Sequence, residues 1–546
     1  MKKANKVVSV ILAASSTLAM AACGGVDPSI QSSPDRPVDS TKAQLYVFSY
    51  DGGQGNAWLD AAVNRFETMY AETVFVEGTK GVQVHLDLQK QGGETVAATI
   101  PSSRNQVYFL ENLNYLNYVY EGLMLDITDM VTEDLTAYGE TRSIEDKLTA
   151  HQQNYYKVNN RYYGLPHYQG FNGLSYDVDL FDQKNLFFKN DGTIGAKSTS
   201  SNLSVGVDGV AGTFDDGLPM TYAQFFQLCD RMVALGICPL TWSGYYQFYF
   251  QSLMVSLATD HAAEEAITFY TFDGKSKKLI DSIAEDGTIT YKPETTITQA
   301  NGYELYNHAS IWYALDFAET VIEKGYFSPG SFNGTTTHTD AQDTFLLSRY
   351  TNEQDVGMLV EGSWWQSEAE STFAMMANSY VNASKNDRRI GFMPLPKATE
   401  ERLAEHKTYI RDDNYTIRFI NANCEPEYIP LAKKFLQFCA TDESLREFTT
   451  LTSAMLGYEY DLKQEQYDSL NYFGQSIYNL RKSSTVVYPY SNSDFFYKNK
   501  SALSDFFGTG VYNVVTLAMK NNGISAKTYF DAIVEYHDKD YWDMMK

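Results

Sequence analysis

Two aromatic clusters in this chain have the residue types and spacing to engage a ligand. Thr241-Trp242-Ser243-Gly244-Tyr245-Tyr246 brings three aromatic rings and two hydroxyls into six residues, directly after the apolar run Ile237 to Leu240. Trp364-Trp365 follows a second apolar run, Gly357 to Val360, on what should be the turn after a strand. Flat rings beside hydroxyls suit sugars, which offer C–H faces for stacking and hydroxyls for hydrogen bonds. Of Trp364 and Trp365, one is expected to face a cleft and the other the core. His167, Tyr168 and Gln169 add polar groups within reach of sugar hydroxyls, although a histidine in that setting is more often structural than catalytic. Composition points the same way: with 41 Tyr, 31 Phe and 6 Trp, tyrosine exceeds phenylalanine, the reverse of what core filling alone would use.

A third group could hold a metal. Asp208, Asp215 and Asp216 lie on one glycine-rich loop, and hard oxygen ligands on flexible backbone suit Ca²⁺. Their spacing is not that of an EF-hand, and a solvated acidic turn explains the same residues equally well. No other cofactor is expected. Catalytic signals are missing: there is no G-x-S-x-G, H-E-x-x-H or zinc-type cysteine spacing. Abundant carboxylates leave room for glycoside hydrolysis, which needs only two placed acids, but nothing in the sequence locates the pair, so no catalytic residue is assigned.

Cys23 decides the compartment. Lys2, Lys3 and Lys6 precede an uncharged stretch from Val7 to Ala22, with Ala21 and Ala22 directly before the cysteine. A basic start, an apolar segment and a small-residue cleavage site make a secretory signal over residues 1–22. It resembles a bacterial lipoprotein signal, in which the cysteine is acylated and becomes the new N-terminus; Met20 departs from the usual leucine. A spanning helix is disfavoured, because the stretch is short of ~20 apolar residues and is interrupted by Ser15, Ser16 and Thr17. Residues 23–42 hold Gly24, Gly25, Pro28, Pro34 and Pro37 with few apolar side chains, and read as a lipid-anchored flexible tether.

The body beyond the tether has roughly 500 residues, more than one hydrophobic core usually serves. Net charge is −25 and becomes more negative once the three leader lysines are removed, which argues against nucleic acid or anionic lipid as partners. The remaining cysteines, Cys229, Cys238, Cys424 and Cys439, show no metal spacing; Cys229 and Cys439 fall on apolar helical positions, and one disulfide is allowed.

The elements that must position these groups alternate strand and helix. Leu45 to Tyr50 reads as a buried strand, Leu59 to Tyr70 has helical spacing, and Val82 to Leu88 alternates apolar and polar. A helix is expected over Glu94 to Ile100 and a third strand over Val107 to Leu110. This order implies a parallel sheet with right-handed crossovers, whose ligands bind beyond the carboxyl ends of the strands. The loops Asp51 to Asn56 and Glu111 to Tyr115 then border a candidate site, with Asn56 and Glu111 as its polar groups. Gly52-Gly53-Gln54-Gly55 lacks the dinucleotide order G-x-G-x-x-G and reads as a tight turn.

Asn105-Gln106-Val107-Tyr108-Phe109-Leu110-Glu111, with Glu121-Gly122-Leu123-Met124-Leu125-Asp126-Ile127-Thr128, resembles a strand and "G-L-L-x-D-(I/L)-T" turn of the bacterial extracellular solute-binding proteins of the maltose-binding type, family 1. Arg161 to Pro166 with Gly173 to Phe181 is similar to that family's crossover strand into the second lobe. Gly357 to Trp365 is similar to its "G-x-(A/M)-x-x-x-G-x-W" strand and turn, where the family carries a sugar-stacking aromatic. Pro430 to Asp442 and Phe448 to Tyr460 resemble its late helix and turn. The resemblance implies a two-lobed periplasmic-binding-protein-like α/β fold (type II), each lobe a mainly parallel sheet flanked by helices, joined by a multi-segment hinge.

By the same resemblance, one lobe would combine 43–166 with 411–470 and the other 167–410 with 471–546, with insertions near 185–218 and 262–297. The protein would be a monomeric, non-enzymatic receptor, held by palmitate-type lipid on the cell surface or the periplasmic side of the cytoplasmic membrane. It would capture an oligosaccharide and pass it to the permease of an ABC importer. The ligand contacts implied are Asn56, Glu111, Tyr168, Gln169, Trp242, Tyr245, Tyr246, Trp364 and Trp365. An extracellular glycoside hydrolase and a polysaccharide-binding surface lipoprotein without transport are the alternatives. Replacing Cys23 with alanine should release the protein from membranes while leaving ligand affinity intact; fractionation and a binding titration check both halves.

Overall fold

The computed structural model describes residues 36–546, apart from 112–113, 197–201, 285–286 and 352. Cys23 and the leader lie outside the described residues. Strand β1 (Ala43–Tyr50) buries its alternate residues and then Val47, Phe48 and Ser49 together, as a strand covered on both faces must. Helix α1 (Ala57–Met69) follows and buries Trp58, Leu59, Ala62, Val63 and Phe66, a stripe at helical spacing. Strand β2 (Val82–Gln89) and strand β3 (Val107–Leu110) both pair parallel to β1. The helix expected over Glu94 to Ile100 is shorter: it spans Gly93–Ala97, and Pro101 sits in a separate 3₁₀ turn, Ile100–Ser102. Proline has no N–H to continue a helical ladder.

Each sheet is mainly parallel, as expected, with one reversed strand that makes its pairings mixed. In the first, Ile417–Ile420 runs antiparallel to β3 and Gly164–Pro166 runs antiparallel to it in turn. In the second, of order Cys238–Thr241, Val356–Gly362, Asn172–Asp177, Ile390–Met393, only the first pair is parallel. Parallel pairing needs a crossover helix within one lobe. Antiparallel pairs arise here where a strand enters its sheet from the other lobe or after a long excursion.

Each sheet carries its own core. Around the first, β1, α1 and β3 pack with Leu431, Phe435, Phe438 and Phe448 from far along the chain. Around the second, Leu174, Tyr176, Leu240 and Val360 pack with Phe250, Leu253, Leu315 and Phe317 of the long helices Phe248–Ala262 and Ala309–Lys324. Among the described residues, segments 185–218 and 262–297 add short antiparallel ladders and, in the second, the helical turns Ala263–Ile267 and Thr268–Thr271, with Phe187, Phe188, Phe269 and Tyr270 joining the core. Cys229, Cys238, Cys424 and Cys439 are all buried and free, so the allowed disulfide does not form.

The chain passes between the two sheets at 167–171 and returns at 412–416, and these passages are tied to one another and to two later segments. Gln169 is the knot. Its backbone N–H donates to the Met455 carbonyl (2.8 Å), its side-chain amide donates to the Tyr488 hydroxyl (2.9 Å), and its amide oxygen accepts from Arg481 Nε (2.8 Å). Beside it, Asp413 N donates to the Gly170 carbonyl (2.8 Å), and the Thr416 hydroxyl donates to the Tyr168 carbonyl (2.6 Å). Gln169 therefore serves the junction and does not line the cleft: it is buried, and both its amide nitrogen and its amide oxygen have partners within the protein. Gln169→Leu should lower unfolding stability by about 2–3 kcal/mol, because it leaves the buried Arg481 guanidinium short of an acceptor; a denaturant titration measures it.

Candidate ligand-binding cleft

A cleft of about 970 Å³ lies between the two sheets. One wall comes from the carboxyl ends of β1 and β3, which deliver Tyr50, Gly53 and Glu111. The facing wall holds Trp364 and Glu368, just beyond Val356–Gly362, and Phe248 and Tyr249 at the start of their helix. The two walls nearly touch at the glycine turn. A Cβ on Gly53 would lie 2.8 Å from Trp364 Cδ1 and 3.0 Å from Glu368 Oε1, and one on Gly52 would lie 2.6 Å from Glu111 Oε1. Glycine is needed there because side chains from both walls occupy the space.

Trp364 and Trp365 point opposite ways. The Trp364 ring lies against Gly362, whose added Cβ would meet it at 2.2 Å, and lines the cleft. Trp365 is 0% exposed, donates from Nε1 to Ser175 Oγ (2.9 Å) and packs edge-on against Phe345 and Phe473. It belongs to the core, which corrects its assignment as a contact. Phe248, 55% exposed, stacks on Tyr249 at 4.6 Å between centroids and forms an aromatic rim to the cleft.

Carboxylates gather beside Trp364. Glu361 is buried and accepts from the Gly362 N–H (2.9 Å). Glu368 accepts from Gln342 Nε2 (3.0 Å), with His338 Nε2 4.0 Å away. From the opposite wall comes Glu111. Burial, then the Glu368 charge, pushes the Glu111 carboxyl up to about 8, and the same two causes hold Glu361 well above the usual range. Burial raises Tyr50 to about 12, with Glu111 and Glu368 adding to it. These are the marks of charge desolvated without a full set of partners.

The floor is polar and comes from the passages between sheets. Arg411 pairs with Asp413, Asp413 also accepts from Asn172 Nδ2 (2.7 Å), and Lys500 lies 4.2 Å from the Tyr415 ring centroid. Lys498 and Asn499 of the helix Asp494–Leu503 complete it. None of these was singled out in the sequence. They come from separate segments and carry no motif; the nearest signal was the lobe boundaries at 166/167 and 410/411 that the family resemblance implied.

Of the residues marked in the sequence, Glu111, Tyr168 and Trp364 line the cleft. The others are elsewhere. Trp242 is 0% exposed, packed on Phe250, Phe327 and Phe332, so the loop's most apolar ring fills the core instead of meeting ligand. Tyr245 and Tyr246 form an edge-on pair (4.6 Å) outside the cleft lining, with Tyr246 behind Phe248 at 5.6 Å. Asn56 turns back to hold its own loop, donating to Asp51 Oδ1 (2.7 Å) and accepting from Ser49 Oγ (2.9 Å). Asp208, Asp215 and Asp216 are each engaged by backbone N–H groups of their own loop. Asp215 accepts from the N–H groups of Val207 and Asp208 (2.8 and 3.2 Å), Asp208 from Val210 N–H and Asp216 from Gly212 N–H (both 2.7 Å). The three carboxylates brace the turn, and among the described residues no group of three or more His, Cys, Asp or Glu is arranged to hold a metal.

No family sequence model matches this chain, and no curated protein matches it in sequence. Solved structures do match in shape. The solute-binding protein RafE in complex with raffinose is 13% identical, with a TM-score of 0.52 over 91% of this chain and 99% of that one. A chitin oligosaccharide binding protein is 15% identical, with a TM-score of 0.53 over 91% and 98%. A protein from work on xylan utilisation by a thermophilic bacterium is 12% identical, with a TM-score of 0.52 over 90% and 99%. The chain thus has the two-lobed α/β fold of these binding proteins.

Because the Glu111 carboxyl sits above its usual 4.5, at about 8, the folded form holds its proton more tightly than the unfolded chain does. Its contribution is therefore complete below about pH 4.5 and is lost as pH rises toward 8. Glu111→Gln should be more stable than the parent by about 2 kcal/mol near pH 8.5, with the gain vanishing near pH 4. Denaturant titrations of both proteins across that range would show parallel profiles if Glu111 were solvated.

Proposed function

We propose that this chain is an extracellular receptor that captures a carbohydrate, an oligosaccharide, in the cleft between its lobes and delivers it to an ABC importer. The observation that carries this function is the Trp364 ring, held against Gly362 inside a polar cleft and opposed by the glycine turn of the other lobe. A ring held that way offers a stacking surface, and the surrounding amides, hydroxyls and carboxylates supply the directional bonds that hydroxyls need. The shape likeness to structures solved with raffinose or named for chitin oligosaccharide supports the same ligand class. Acylation at Cys23 would keep the receptor, a monomer, near its importer at high local concentration, outside the cytoplasmic membrane. The lobes would comprise 43–166 with 411–470 and 167–410 with 471–546, moving about the Gln169 junction.

One observation favours a second function. Glu111 and Glu368 face the same cleft, and a carboxyl that keeps its proton near neutral pH is what a glycosidase uses as general acid. Incubation with oligosaccharides followed by product analysis separates the two; any turnover removes the receptor function.

Thermal shift against a panel of neutral and charged oligosaccharides should find at least one that raises the melting temperature. Trp364→Ala should then weaken that ligand by about tenfold or more, as loss of a central aromatic contact does, with little change in stability. Trp365→Ala, by contrast, should cost about 3–5 kcal/mol of stability. A panel with no stabilising carbohydrate would exclude the function.

A further inference from the structure

The carboxylates at the Trp364 end of the cleft are more numerous than a neutral sugar requires. Glu111 arrives from one wall, Glu368 from the other, and Glu361 lies buried behind. Glu361 has donors of its own in Gly362 N–H and the Gln342 amide, and Glu368 shares that amide (3.0 Å). His338 Nε2 lies 4.0 Å from Glu368, and the Lys90 ammonium also acts on it. Arg411, on the floor, is paired with Asp413.

A second feature lies directly behind Glu111. Gln54 is 6% exposed, and neither its amide oxygen nor its amide nitrogen has a partner in the protein. With Glu111 it lines a small cavity, about 10 Å³, that shares Tyr50, Glu111 and Tyr168 with the cleft. That is room for one water. His167, 4% exposed, lines the same cavity with Nδ1 unpartnered. Buried polar atoms without partners carry a desolvation cost that a bound group can relieve.

We propose that this end of the cleft is a cation subsite that takes the protonated amine of an aminated oligosaccharide, held between Glu111 and Glu368 against the Trp364 ring. The inference rests on the carbohydrate function proposed above and narrows its substrate class. An ammonium group has three donors and no acceptor, which matches two carboxylates and the Gln54 amide oxygen, the last reached directly or through one water. Glu111 holds a proton near neutral pH in the free protein; an ammonium ion favours its release to solvent and leaves two carboxylates about one cation, which a hydroxyl cannot bring about. The ring beside them adds attraction for a cation.

Calorimetric titration of the whole mature protein with glucosamine, N-acetylglucosamine and glucose oligomers of equal length, at about pH 6 where the amine is protonated, tests the inference. The glucosamine oligomer should bind about tenfold or more tightly than either neutral one, and added salt should weaken it selectively. Glu111→Gln and Glu368→Gln should each cost the aminated ligand about tenfold more affinity than they cost the neutral ones. Neutral oligomers binding as tightly as the aminated one, or both classes losing equally in the variants, would overturn the cation subsite while leaving the carbohydrate function standing. A linear diamine binding as tightly as the aminated sugar would overturn it as well. Failure of every sugar would overturn both. The comparison among ligands on the unaltered protein decides the matter even if a variant fails to fold.

Discussion

The structure depends on how its chain crosses between two sheets without leaving buried polar backbone unsatisfied. A passage through the interior exposes N–H and C=O groups to a region with no water, and each must find a partner. Here the partners are other crossings. Gln169 joins the 455, 481 and 488 segments, and Asp412 accepts from the N–H groups of Gly170 (3.3 Å) and Asn414 (3.4 Å). Burial lifts the Asp412 carboxyl to about 7, and Arg481, which also pairs with Glu459 at 2.6 Å, offsets part of that cost. Four segments distant in sequence are thereby held in one place.

The site follows from that junction. Tyr168, Asn172, Arg411 and Asp413 line the cleft because they flank the crossings. Tyr50, Glu111 and Trp364 line it because strands β1, β3 and Val356–Gly362 all end there, and open α/β sheets present their ligand groups beyond strand carboxyl ends. The glycine turn after β1 brings the first wall against the Trp364 ring, so apolar stacking and desolvated carboxylates share one end of the cleft. A carboxylate near a ring and out of water is poised for strong interaction with whatever donor the ligand supplies.

The local pattern was legible where packing is periodic. The run Val107 to Leu110 is the third strand as read, the alternation from Val82 to Leu88 is an edge strand, and the Leu59 to Phe66 stripe is the buried face of α1. Cys229 and Cys439 sit buried as small hydrophobes. Antiparallel pairing was not legible, since the direction of a strand depends on which lobe the chain comes from. Nor was the fate of each aromatic: Trp242 and Trp364 follow similar apolar strands, but one fills the core and the other faces the cleft.

The sequence by itself determined which segments become strand and helix, that more than one core is needed, and that Glu111, Tyr168 and Trp364 stand at strand ends or crossings. The elements and the number of cores follow from periodicity and chain length, which are local or additive; the place of Tyr168 at a crossing was implied by the family resemblance. Only the tertiary structure decided that Gln169 binds the chain to itself, that Trp365 turns inward to Ser175, and that Asp208, Asp215 and Asp216 brace a turn. It also decided that Glu111, Glu361 and Glu368 meet with Gln54 behind them. These outcomes depend on which distant groups compete for each side chain, and such competition exists only once segments hundreds of residues apart are packed together.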